Sequence, residues 1–569
     1  ENFGAKKNRK SMCGIFALLS RNFGSKYNSR RLAKQFNNIQ PRGPDNTHKL
    51  TINSNVFFGF HRLSINDLSE LGDQPFSFES DGLHLICNGE IYNYKELTNM
   101  YGFSTKSNSD CEIILHMYKH FGIEKTITSL DGVFAFIIYD ESKDVVFAGR
   151  DPIGVRPLFI GYDTDNSGIL FGSEAKSLIN YTKNIKQFEP GCYWSSDSPN
   201  EFIKWWDLNN DNIGIYTERD ALSMIRNDLT NATRKRLMSE RPIGTFLSGG
   251  LDSSLITALV NQMLKENDYN SVLNTYTIGM EGATDLENAN ICADHLKTNH
   301  HSIIFTPDES IRAIHDVIYA LESFDSATIR ASVGMYLLSQ YIAWNTDNVV
   351  LYSGEGSDEV TQGYSYFHNS PTPIDGANDS LRLINQLHYF DVCRVDRTVS
   401  NHGLEVRVPF LDKTFVKNYF SISPELRSPL YRKQEKYLIR KAFDNGPLLP
   451  QEILWRTKTP FSEGLTSYKD GWLDILDQYI DTLISNKEFH DAQEYYKSIG
   501  NIVPNTKQAY YYRKIYDEYF GGVQLIPHYW TPKWPETLTH NSNVENILNQ
   551  YEPKLEYIQV KQKMFAHQM

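Results

Sequence analysis

Ser248-Gly249-Gly250-Leu251-Asp252-Ser253-Ser254 stands between two apolar runs of different kind. Before it, Pro242-Ile243-Gly244-Thr245-Phe246-Leu247 is short and of strand type. After it, Ser254-Leu255-Ile256-Thr257-Ala258-Leu259-Val260 continues to Leu264 and reads as a helix. A strand, a glycine-rich turn and a helix start together make a phosphate cradle. Glycine lets the backbone come close to oxygen, free amides point at it, and the helix N-terminus adds partial positive charge. No Gly-Lys-Ser/Thr follows, so the turn is not a Walker loop. Asp252 stands where a carboxylate could hold the magnesium that travels with a nucleotide. Taken alone, the heptapeptide is equally a surface turn; its flanks favour phosphate.

Downstream the pattern alternates. Strand-type runs at 272–280, 302–305 and 349–352 are separated by helical text at 285–296, 309–321 and 332–344. Such alternation predicts crossover units and a parallel sheet with helices on both faces, with nucleotide at the strand C-terminal ends. Two of those ends carry suitable residues. Leu247 and Ile278, through backbone groups, could frame adenine. The end at 352 runs into Ser353-Gly354-Glu355-Gly356-Ser357-Asp358-Glu359, an acidic turn without EF-hand spacing.

Upstream, from Met12 to about Asp207, the text is strand-rich. Runs at 57–63, 83–87, 133–139 and 145–148 are β-type, with helices expected at 30–37 and 110–120. Strands between helices predict sheets packed between helical layers. The polar residues with a chemical task lie at strand ends: Cys13, the segments 42–45 and 62–66, Asn88-Gly89-Glu90 and Asp110. A polar break places a linker at 208–217, and 218–238 reads as an amphipathic helix. Residues 1–12 read as a solvated leader and 542–569 as a tail. The expected fold is thus α/β: a layered α-β-β-α domain over 13–207, then a parallel-sheet domain over 218–541.

A length of 569 residues suggests two to four domains. The net charge of −12 argues against nucleic acid or an anionic membrane as main partner. Six cysteines without a CxxC pair point to a reducing compartment and away from structural zinc. No apolar run approaches the ~20 residues of a membrane span, so a cytoplasmic protein is expected. The pair His300-His301 invites a metal reading, but neighbours in a strand face opposite ways.

The motifs MCGIFA, QPRGPD, HRLSIND, NGEIYN, SDCE, DGVFAF and GRDPIGVRPL (12–158) resemble, in this order, those of the N-terminal-nucleophile glutamine amidotransferases. The glycine loop resembles that of enzymes splitting ATP to AMP and pyrophosphate. With SGEGSDE, TIRAS (328–332), LEVRVPFLD (404–412), EKYLIRKAF (435–443), ILWRTK (453–458) and HYWTPKW (528–534), nearly the whole chain is similar to the animal-type glutamine-hydrolysing asparagine synthetase family. The resemblance implies an ATP-, aspartate- and glutamine-using ligase with Mg2+ and a homodimer. It implies Cys13 as nucleophile, assisted by its own α-amine once the leader and Met12 are gone. Asn88 and Gly89 would form the oxyanion hole. Arg62, Leu63, Ser64, Ile65, Asn66, Glu90 and Asp110 would bind glutamine. ATP and pyrophosphate would meet Leu247, Ser248, Gly249, Gly250, Leu251, Asp252, Ser253, Ser254, Ile278, Ser353, Gly354, Arg330 and Lys458. Glu355 would act as base, and Asp252 and Asp358 would hold the metal. Ala327, Thr459, Pro460 and Glu463 depart from the family's usual residues. Two alternatives stay open: an amide former acting on another carboxylate, and a non-catalytic homologue that binds glutamine or nucleotide.

Overall fold

The computed structural model describes residues 13–20, 27, 29–163, 168–266, 272–457 and 472–534. The first half holds twelve strands. These are β1 (Gly14–Ser20), β2 (Asn46–Ile52), β3 (Val56–Arg62), β4 (Phe76–Phe78), β5 (Leu83–Ile91), β6 (Gly132–Asp140), β7 (Val145–Arg150), β8 (Phe159–Tyr162), β9 (Gly168–Gly172), β10 (Asn184–Gln187), β11 (Cys192–Ser195) and β12 (Phe202–Lys204). They form two antiparallel sheets, β10-β8-β9-β1-β3-β2 and β12-β11-β7-β6-β5-β4. The period of two explains the sandwich. Ile15 and Ala17 of β1 meet Ile86, Ala135 and Ile137 of the other sheet. Phe16 and Leu18 point outward, to Leu32 and Phe36 of helix α1 (Ser29–Phe36). On the far side, Leu85, Cys87, Phe134 and Phe136 pack on Ile114, Leu115 and Met117 of α3 (Ile113–Ser129). Central strands with both faces covered are apolar throughout, and β6 is buried at all nine positions. Between them lies α2 (Tyr94–Tyr101), which the sequence reading left out. Only Leu97 of its eight residues is buried, too little for an apolar stripe.

The second half begins with α4 (Glu218–Lys235), capped by the Thr217 hydroxyl. Strands β13 (Ile243–Phe246), β14 (Asn274–Gly279), β15 (Asn299–Ile304), β16 (Val350–Tyr352) and β17 (Glu405–Arg407) make one parallel sheet, ordered β15-β14-β13-β16-β17. Its crossovers include α5 (Leu251–Glu266), α6 (Thr284–Leu296), α7 (Pro307–Leu321) and α8 (Ser326–Asn345). The last starts six residues before the expected 332, because the Asp325 carboxylate caps the Thr328 amide at 2.8 Å. A further helix, α9 (Asp391–Ser400), precedes β17 and is buried at every position after Asp391. His300 and His301 separate as strand geometry requires: His300 Nδ1 lies 2.8 Å from the Thr275 hydroxyl, and His301 stacks on Tyr276.

The halves are sewn together by polar contacts. The Arg241 Nε donates to Ser64 O (2.8 Å), Glu240 N to Ile65 O (3.0 Å), and Asp67 N to Glu240 Oε1 (3.0 Å). The 64–67 turn therefore rests on the residues leading directly into β13.

Candidate active sites

Cys13 immediately precedes β1, and the register Gly14↔His61 sets the end of β3 beside it. Leu63 N–H donates to the Cys13 sulfur at 3.3 Å, and the thiol faces Leu63 O at 3.5 Å. Burial pushes the thiol up to about 12, against the Leu63 hydrogen bond and the Arg62 charge. Such a thiol needs a base before it can attack.

Around it the structure gathers several of the expected residues. Asn66 Nδ2 donates to Glu90 Oε2 (2.8 Å) and Asp110 Oδ1 (3.3 Å), and Ile91 N–H donates to Asp110 Oδ2 (2.6 Å). Burial raises the Asp110 carboxyl to about 6, and Glu405 adds to the rise. The Glu90 carboxyl is held well above the usual carboxylate range, by burial and then by Glu405 and Asp110. Asn88 is buried, yet among the described residues neither atom of its amide has a hydrogen-bond partner. Gly89 allows β5 to close on β6: a Cβ there would fall 2.2 Å from Val133 O. Ser64 N donates to Asp45 Oδ2 (3.0 Å), which fixes the turn carrying Leu63 and Ile65. Arg62 is engaged by Asp73 (2.6 Å), Ser69 O (2.7 Å) and Asp67 O, so its guanidinium braces the 67–73 loop.

The second site lies at the C-terminal end of the parallel sheet. Thr245 pairs with Tyr352, so the turns after β13 and β16 are neighbours. Leu247 N–H is fixed on Tyr276 O at 2.8 Å. Ser248 and Ser253 hydroxyls meet at 3.0 Å and fold the glycine loop. Gly249 has φ +73°, and a Cβ there would sit 2.4 Å from the Asn288 carbonyl carbon; only glycine serves. Gly354 lies against the start of α5, where a Cβ would fall 2.7 Å from Ser253 N. A cavity of about 200 Å³ follows, lined by Leu247, Ser248, Ile278, Ser353, Glu355 and Asp358 among others.

Two acidic residues converge there. Lys436 Nζ lies 2.6 Å from Asp252 Oδ2 and 2.5 Å from Asp358 Oδ1, and Ser357 Oγ donates to Asp252 Oδ1 at 2.8 Å. The pair of hard oxygen donors around one cationic point suits Mg2+. Among the described residues no group of three or more His, Cys, Asp or Glu could hold a metal. Two carboxylates with phosphate oxygens supplying the rest is the usual arrangement for a nucleotide's magnesium. Glu355 pairs with Arg394, which also donates to Asp391 at 2.6 Å.

Arg330 differs from its expected place. Ala327, Thr328, Ala331, Met335 and Leu338 face the cavity at helical spacing, and at about 100° per residue Arg330 falls roughly 110° from the middle of that face. Arg330 is thus turned away, its Nε donating to Gln508 Oε1 at 2.6 Å. Lys458, Thr459, Pro460 and Glu463 lie outside the described residues, as do the leader and tail; Arg456 and Thr457 reach the cavity rim. The sequence reading assigned no task to Lys436, Asp391 or Arg394, and placed Asp45 only within the 42–45 segment. Lys436 could have been suspected from its place in EKYLIRKAF; the others carry no local signal.

A glutamine amidotransferase domain matches residues 12–193, and an asparagine synthase domain matches 224–377 and 374–542. The chain is 43% identical over 553 residues to the chicken protein named asparagine synthetase [glutamine-hydrolyzing], covering 92% of this chain and 97% of that one. It is 41% identical over 564 residues to the human protein of the same name, covering 93% and 99%. Among the described residues no helix is long and apolar enough to cross a membrane.

Proposed function

The chain belongs to the glutamine-hydrolysing asparagine synthetases, and we propose how its two sites share that family's reaction. It makes L-asparagine from L-aspartate and ATP, with nitrogen taken from L-glutamine. In the first half, Asp110 holds the glutamine α-ammonium, and Cys13 attacks the amide carbon. The buried thiol gives its proton to the α-amine of Cys13, a base titrating near ~7.7–8. Asn88 Nδ2 and Gly89 N–H receive the oxyanion; the unsatisfied Asn88 amide supports this, because a buried donor without a partner costs ~1–3 kcal/mol. Ammonia leaves, and water releases glutamate from the thioester.

In the second half, the aspartate β-carboxylate attacks the α-phosphorus of ATP. Pyrophosphate leaves onto the 248–254 loop, with Lys458 against its charge. Asp252 and Asp358 would hold Mg2+, which neutralises phosphate charge when bound. Lys436 contributes a fixed positive charge at the same point. Ammonia then attacks the β-carbonyl of aspartyl-AMP, Glu355 takes the ammonium proton, and AMP leaves. Arg394 aims the Glu355 carboxylate and, by repulsion, favours loss of a proton from the new ammonium. Arg330, turned away from the cavity, is left out of these steps.

The observation that carries the reading is the convergence of Asp252 and Asp358 on one cation beneath the glycine loop. We extend it to a homodimer working in the cytoplasm, which rests on family resemblance and is checked by light scattering and cell fractionation. Incubation with aspartate, ATP and glutamine tests the chemistry. Asparagine, AMP and glutamate are expected together. Glutamate without AMP or asparagine would mean another carboxylate is the substrate; no turnover of either half would leave a binding protein.

A further inference from the structure

Helix α9 serves both sites at once. Arg394, in its first turn, holds Glu355 and Asp391. Two residues on, and so about 200° around the helix, Asp396 faces the β-sandwich. There it receives a fork from Arg42: Nη1 at 2.8 Å on Oδ2 and Nη2 at 3.2 Å on Oδ1. Nη1 of Arg42 also reaches Glu174 Oε1 (2.7 Å) and, again on α9, Ser400 Oγ (2.9 Å). Its Nε donates to the carbonyl oxygen of Cys13 itself, at 3.2 Å. A second seam runs parallel. Arg397 Nη1 lies 3.1 Å from Glu322, which accepts the Ala175 and Lys176 amides at 2.8 and 2.6 Å. Arg42, Asp396, Arg397, Glu174, Glu322 and Ser400 are all buried.

Between the nucleophile's own backbone and the carboxylate at the other site stand two guanidinium groups, one aspartate and three residues of helix. Burying such a network is costly, and apolar residues of similar size often stabilise as well or better. Neither half-reaction needs it for its bond changes. What it does is tie one geometry to the other.

We propose that Arg42 and Asp396 are positioning residues that couple the two sites. Contacts made at Glu355 and Arg394 set the seating of α9, and Arg42 passes that setting to the Cys13 backbone, so that glutamine is opened chiefly when aspartate and ATP are in place. Coupling of this kind is reciprocal in binding, so glutamine also tightens the synthetase site. The proposal rests on the two-site reading above.

The test uses the chain beginning at Cys13 and measures glutamate and asparagine formed from glutamine, with and without ATP and aspartate, beside ammonia-dependent synthesis. Asp396→Asn and Arg42→Lys should each raise glutamate released per asparagine by about fivefold or more. Both should also flatten the rise in glutamate release on adding ATP and aspartate, while ammonia-dependent synthesis persists. Ser400→Ala, which removes one hydroxyl and no charge, should shift the ratio in the same direction by less. An unchanged ratio in folded Asp396→Asn or Arg42→Lys overturns the proposal. Should those two not fold, an unchanged ratio in Ser400→Ala overturns it. An unsubstituted chain whose glutamate release ignores ATP and aspartate also overturns it. Loss of all asparagine synthesis in the unsubstituted chain would instead strike the two-site reading.

Discussion

Asp110 sits in a cluster with Glu90 and Asn66, and burial holds its carboxyl at about 6. Its task needs the charged form, since a neutral carboxyl attracts an α-ammonium weakly. The sign follows: above pH 6 the site binds glutamine, and as pH falls through 6 the attraction is lost. The kcat/KM for glutamine hydrolysis, followed from pH 5 to 8, should fall roughly fivefold between pH 6 and 5, beyond any loss from the Cys13 amine. Asp110→Asn should lower it throughout and erase that inflection; an unaltered inflection would remove Asp110 from the site. A pair of substitutions separates the halves. Cys13→Ala should abolish glutamine-dependent synthesis and spare the ammonia-dependent reaction. Glu355→Ala should cut synthesis by on the order of 100-fold with either nitrogen source and spare glutamate release. Parallel losses in both assays would contradict two separate sites. At this scale the sequence was legible where chemistry is written locally, as at Cys13, Asn88 or Asp252. Lys436 and Arg394 escaped because their partners lie 184 and 39 residues away, and no spacing rule connects them.

The strand–turn–helix unit at 243–266 and the turn after β16 could be read from their residues, because each is a local decision between periodicities. What could not be read is their contact, which depends on strand order β13-β16. Gly354 is where that contact is closest. Gly354→Ala would drive a methyl against Asp252 and Ser253 and force the two loops apart. Overpacking of this kind typically costs ~1–3 kcal/mol, so the protein should still fold. Pyrophosphate release from ATP and aspartate should collapse while glutaminase activity stays; normal release would show that the loops need not touch. Helix α9 was invisible for the opposite reason. Its sequence DVCRVDRTVS alternates charge with apolar residues, and charges usually mark a solvated face, yet here Arg394, Asp396 and Arg397 are all buried among partners from elsewhere in the chain.

Across the whole molecule, the residues before Cys13 bear on the first chemistry. With Met12 attached, the Cys13 nitrogen is an amide and accepts no proton, while burial holds the thiol near 12. The chain as given should therefore hydrolyse glutamine slowly. A chain beginning at Cys13 should release glutamate on the order of 100-fold faster, at equal ammonia-dependent synthesis. Equal glutamate rates would end the case for an N-terminal nucleophile. The joint between the halves has a different bearing. Its contacts include buried hydrogen bonds and ion pairs, such as Arg241 on Ser64 and Arg42 on Asp396, beside an apolar core that continues from one half into the other. Neither half can loosen without stranding charge that the other compensates, so calorimetry should record one endotherm for both. Once parted by a cut in 208–217 and mild denaturant, each half would expose unpaired charge and apolar side chains together. Each such face is completed only by the other half, so removing the denaturant from the mixed fragments should restore glutamine-dependent synthesis.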